Sequence, residues 1–144
     1  MPSKFETAII ALQASLAGHA ATVIREADLP ETCPPEGLIN IVPDDPREVG
    51  RHLGTGRREW EADIGLTVVM QDDTGSARNE KMDTALSSIV TLLFTDRTLG
   101  GAVDYLDLDT PVGFEVVPMP GAETFKEAVL AVTLFYETTA NPME

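Results

Sequence analysis

The chain has 144 residues, 43% of them hydrophobic, enough for one domain with a real core. Twenty-four acids against ten bases leave a formal charge of −14, which opposes tight binding to nucleic acid, because Lys and Arg must displace its counterions. No apolar run approaches the ~20 residues of a membrane helix, and the single cysteine, Cys33, excludes an internal disulfide and a multi-cysteine zinc site.

The opening Met-Pro-Ser-Lys-Phe-Glu-Thr lacks a charged region followed by a long apolar core, so no signal peptide is expected there. The lone cysteine suits a reducing compartment. Phe5, Ala8, Ile9, Leu12 and Leu16 make one helical stripe, which predicts a helix over residues 3–17 with Gly18 at its end. Residues 21–26 read as a short strand. An irregular connection with three prolines, residues 28–37, leads to a buried strand over 38–42 that Pro43 ends.

Residues 47–58 hold four of the ten bases: Arg47, Arg51, Arg57 and Arg58. The segment reads as a mobile loop or as a hairpin turned by Gly54-Thr55-Gly56, and the hairpin is the favoured reading. From Trp60 to Met70 apolar residues fall at every second position, the period of a strand with one face on a core. The alternation stops before Gly75. Met82, Leu86, Ile89 and Leu93 then mark an amphipathic helix up to Phe94, for which Ser76 is the expected N-cap. Weak alternation over 103–108 is interrupted by Pro111 and resumes over 112–117, and Pro118-Met119-Pro120-Gly121 is a turn. Residues 124–137 form the last strand. It is apolar on both faces, with Phe135 on the second, so it should be central in the sheet or covered by a partner.

These elements predict a single α+β domain over 1–138 with a tail at 139–144. Its mainly antiparallel sheet carries two helices on one face, in the order α-β-β-β-α-β-β plus the hairpin. Two helices leave the other sheet face to stay polar or to be buried by another molecule.

Motifs for chemistry are weak. Asp73-Thr74-Gly75 resembles the active-site turn of aspartic proteases, but there the motif leads into β structure and a second copy is needed. Here a helical period follows, so the turn reads as feeding a helix N-terminus, and Asp73 is not expected to be catalytic. Asp104, Asp107 and Asp109 lack the spacing, central Gly and distal Glu of a calcium loop and read as an acidic strand edge. His19 and His52 sit in no nucleophile or metal motif, and Gly54-Thr55-Gly56 lacks the Lys-Ser/Thr of a phosphate loop. Catalytic residues, cofactors and metal ligands are therefore not expected.

One pattern remains. An amphipathic N-terminal helix, a short strand, an acidic proline loop, an apolar strand and a polar hairpin precede Glu59-Trp60-Glu61-Ala62-Asp63-Ile64-Gly65-Leu66-Thr67-Val68-Val69. A helix with Ala85-Leu86-Ser87-Ser88-Ile89 follows, and the last strand ends Thr133-Leu134-Phe135-Tyr136-Glu137. Over nearly its whole length the chain resembles the tail terminator proteins of long-tailed bacteriophages, also called minor tail or tail completion proteins. The resemblance implies a non-enzymatic virion protein. Such proteins form a ring, usually a homohexamer, on the head-proximal end of the tail tube. The ring ends tube polymerisation, offers a surface to the neck or head-completion protein, and leaves a lumen for genome DNA. It implies assembly in the host cytoplasm and no membrane. Another ring-forming head–tail connector or neck protein is the runner-up, and a small aspartic-type protease ranks behind both. The expected interface residues are Arg47, Arg51, Arg57, Arg58, Trp60 and Phe135, the arginines as a basic contact for an acidic neighbour.

Overall fold

The computed structural model describes residues 2–25, 36–72, 74–117 and 125–144. Cys33, Asp73, most of the proline-rich connection before residue 38 and the turn at 118–121 lie outside them.

The chain folds as α1 (Lys4–Leu16), β1 (Thr22–Arg25), β2 (Leu38–Pro43), β3 (Arg47–Arg51), β4 (Arg58–Gln71) and α2 (Gly75–Thr95). A 3₁₀ turn (Leu99–Gly101), β5 (Tyr105–Leu108), β6 (Val112–Val117) and β7 (Phe125–Thr138) complete it. The architecture is the expected α+β fold, with a seven-stranded sheet. Its axis is the antiparallel β4–β7 pair, in register over fourteen residues from Arg58 opposite Thr138 to Gln71 opposite Phe125. The outer edge of β4 takes β2 and β3 end to end, and that of β7 takes β5 and β6 in the same way. Only β1, on β2, is parallel to its neighbour. Two separate strands stand where the broken alternation across Pro111 suggested one, so three strands follow α2.

Period-two alternation on β4 and β7 sorts their residues cleanly. Ala62, Ile64, Leu66 and Val68 of β4 face Leu134, Val132, Leu130 and Ala128 of β7, all fully buried on one face. Both helices lie on this face, through Ala8, Ile9, Leu12 and Leu16 of α1 and Met82, Leu86, Ile89 and Leu93 of α2. Each buried Ile, Leu or Met of this set contributes about 1.5–3 kcal/mol by leaving water.

Caps set the helix boundaries. The Ser3 hydroxyl accepts the Glu6 N–H and starts α1. For α2 the N-cap is Thr74, whose hydroxyl accepts the Ala77 N–H at 3.1 Å, and the expected cap Ser76 lies inside the helix. Two features tie α1 in place. Arg25 of β1 grips Glu6 with two bonds of 2.6 and 2.8 Å, which holds the Glu6 carboxyl below its usual range. The tail folds back to α1, where the Lys4 N–H donates to the Glu144 carbonyl.

Candidate assembly surfaces

The opposite sheet face carries no helix. On β4 it presents Glu59, Glu61, Asp63, Gly65 and Thr67, and on β7 Glu137, Phe135, Thr133, Ala131 and Val129. Towards one end a small cluster of Leu38, Val69 and Phe125, with Ile24 against it, is buried on this face. The remainder is polar with isolated apolar residues, such as Val42, Val112 and Tyr105.

The favoured hairpin is present. His52 closes the loop between β3 and β4: its N–H donates to the Arg57 carbonyl at 2.8 Å and its carbonyl accepts the Gly56 N–H at 3.1 Å. Gly54 and Gly56 have φ of 88° and 73°, a left-handed backbone that glycine tolerates best. A bulge between Glu48 and Gly50 leaves Val49 without a ladder partner.

The four hairpin arginines do not form one basic patch. Alternation splits them between faces, and each meets a carboxylate of its own chain. Arg47 lies on the open face, 2.8 Å from Asp63 and 2.9 Å from Glu61. The Asp63 carboxyl is held below its ordinary range, first by Arg47 and then by the Thr133 hydroxyl. Arg57 reaches Glu137 on the same face at 3.4 Å. Arg51 and Arg58 lie on the helix side and share Glu48, at 2.9 and 3.6 Å. Arg51 keeps Glu48 ionised to lower pH than usual.

Trp60 stands at the hairpin base on the helix face, half-buried against the core. Its ring stacks at 6.5 Å on Tyr136, which stacks on Phe5 at the same separation. Burial pushes the Tyr136 hydroxyl up to about 12. The indole N–H donates to the buried Thr138 hydroxyl at 2.9 Å. Phe135 lies on the open face, stacked on Tyr105 at 4.4 Å. Arg47, Glu61, Phe135 and Tyr105 thus form one cross-strand row over β3, β4, β7 and β5.

Sequence reading missed the apolar side chains on the sheet edges. Val112, Phe114 and Val116 of β6 are each more than half exposed. Phe114 and α2 residues Leu86 and Val90 line a groove of about 550 Å³ that no described residue fills. On the opposite edge Val49 is exposed, and Leu53 in the adjoining hairpin loop almost completely so. In the sequence Val112, Phe114 and Val116 alternate with Gly113, Glu115 and Val117, a pattern that reads equally as a strand with one buried face.

One polar pair has the look of a catalytic dyad. His19 Nε2 lies 2.6 Å from Ser88 Oγ. Yet His19 Nδ1 accepts the Ala21 N–H at 3.1 Å, which leaves the proton on Nε2, pointing at the serine. Ser88 in turn donates to the Ala85 carbonyl. An imidazole in that tautomer holds the hydroxyl and does not take its proton. Burial lowers the His19 pKa and favours the neutral ring.

No protein-family model matches the chain, and no curated protein matches it.

Proposed function

We propose that this chain is a structural ring subunit, a tail terminator that caps the head-proximal end of a bacteriophage tail tube and presents the neck attachment surface. The observation that carries the reading is the pair of opposite sheet edges, each with no ladder partner on its outer side among the described residues and with exposed apolar side chains. Val49 marks one edge, with Leu53 in the hairpin loop beside it, and Val112, Phe114 and Val116 mark the other. Open apolar edges favour pairing with another chain. Two unlike edges on one subunit suit head-to-tail contacts, which close into rings when the rotation per subunit allows. The carboxylates of the helix-free face suit a lumen that passes DNA without holding it, and six copies at −14 each would bring −84. In this reading the protein is not an enzyme, and its partners are itself, the tube protein and a neck protein.

The test is light scattering of the purified chain, then negative-stain imaging after mixing with polymerising tubes. A ring of discrete mass on one tube end is expected, and Phe114→Lys should abolish it without loss of fold. A chain that stays monomeric at every concentration and leaves tube length unchanged would refute the proposal.

A further inference from the structure

At the hairpin end of the open face, three side chains from separate parts of the chain converge. His52 Nε2 lies 3.1 Å from Glu59 Oε1 and 2.9 Å from Glu137 Oε1, and the three ligand atoms all fall within 4.8 Å of one another. We propose that they form a binding site for a first-row divalent cation, with Zn²⁺ the best fit.

Four observations carry this. Glu59 and Glu137 are direct partners in the β4–β7 ladder, and like charges directly opposite are unfavourable unless a cation lies between them. His52 points one nitrogen at both carboxylates, and that nitrogen has at most one proton to give. A zinc ion bound tetrahedrally at ~2.0–2.2 Å holds its ligand atoms roughly 3.3–3.6 Å apart, so the two contacts to Nε2 need to open by only a few tenths of an ångström to admit it. Finally, Gly50 makes room. A Cβ there would lie 2.4 Å from Glu59 Oε2, although Gly50 has no left-handed φ that would itself call for glycine. The bulge at Val49 sets Gly50 opposite Glu59, and the carboxylate folds over it towards His52.

The surroundings fix the ligands. Backbone bonds on both sides of the loop lock His52, as described above. Arg57 engages Glu137 Oε2 and leaves Oε1 to face the imidazole, the outer-shell support that ligating carboxylates usually have. One imidazole and two carboxylates suit zinc, whereas an all-oxygen set would suit calcium or magnesium. Three protein ligands leave a fourth position open to water or to a carboxylate of another molecule. The bound ion would clip the hairpin loop to β4 and β7.

The experiment titrates Zn²⁺ alone into the full chain after chelator treatment, followed by calorimetry. One ion per chain is expected. His52→Ala and Glu137→Gln should each weaken binding at least tenfold, roughly what even outer-shell changes cost. Gly50→Ala should weaken it with an unchanged circular dichroism spectrum. Mn²⁺ added to the isotope-labelled wild type should broaden the amides of His52, Glu59 and Glu137 first, a readout that needs no variant to fold. The proposal is overturned by binding no tighter than about millimolar, by stoichiometric binding that persists in both ligand variants, or by broadening centred elsewhere.

Discussion

The bond from Trp60 to Thr138 joins the start of β4 to the end of β7, and its removal should be visible in stability. Trp60→Phe keeps a ring against Tyr136 and deletes the donor. Thr138 is 1% exposed, but its hydroxyl still donates to the Thr139 carbonyl at 2.8 Å, so it is not stranded. The loss should then be near the usual net worth of a hydrogen bond, about 0.5–1.5 kcal/mol, plus about 1 kcal/mol for lost indole contact. Trp60→Ala also forfeits the stack and should cost about 3 kcal/mol, the low end for aromatic truncations because the ring is only half-buried. Thr138→Val removes the acceptor, so the double variant isolates the bond, with an expected coupling of about 1 kcal/mol. Urea unfolding by circular dichroism is the assay, since Trp60 is the only tryptophan and fluorescence is lost with it. Protein concentration must be fixed, because association would add its own stability. Zero coupling, or a neutral Trp60→Ala, would refute the packing described for this corner.

Other outcomes follow from the same contacts. Thr74→Ala should cost about 1 kcal/mol by removing the α2 cap, while Ser76→Ala should be nearly neutral, and urea midpoints with unchanged slopes check both. His19 has a folded pKa below its ordinary 6.5, so the unfolded chain binds the extra proton first. Its contribution is therefore intact above pH 6.5 and lost as pH falls from there towards the lower folded value. His19→Gln should flatten stability between pH 7 and 5 relative to the wild type. Reversing Arg57 and Arg58 to Glu should slow ring formation and alter its salt dependence while the monomer still folds; an unchanged rate and salt dependence would remove these two charges from the interface.

Where one local rule governs, the fold was readable. Alternation from Trp60 to Met70 placed β4 on one face of the core, and the doubly apolar β7 is indeed central, flanked by β4, β5 and β6. Glycines at 54 and 56 disclosed the hairpin because the turn needs their left-handed backbone. The misreadings lie where two signals compete. Thr74 and Ser76 are both good caps two residues apart, and only the backbone entering the helix decides between them. Pro111 breaks a strand whichever side is read, but two separate strands result because β5 and β6 share the edge of β7 end to end. Long-range side-chain partners were not readable at all. His52 and Glu137 are 85 residues apart, and only the full β4–β7 register brings them together.

That register also changes what the hairpin can contribute to assembly. Four arginines in a chain of charge −14 suggest a basic arm seeking an acidic neighbour. In the folded subunit their attraction is already directed inward, to Glu48, Glu61, Asp63 and Glu137. A neighbour that engaged them would have to displace those carboxylates, so the exchange of one exposed ion pair for another gains little. Charge at this hairpin therefore sets orientation and salt sensitivity more than affinity. The driving force for association has to come from the apolar side chains, where Leu53 is almost fully exposed and Phe114, with the Lys126 ammonium over one side of its ring, is still half exposed. Added salt should slow ring closure yet leave the closed ring intact, whereas a ring held mainly by the arginines would dissociate.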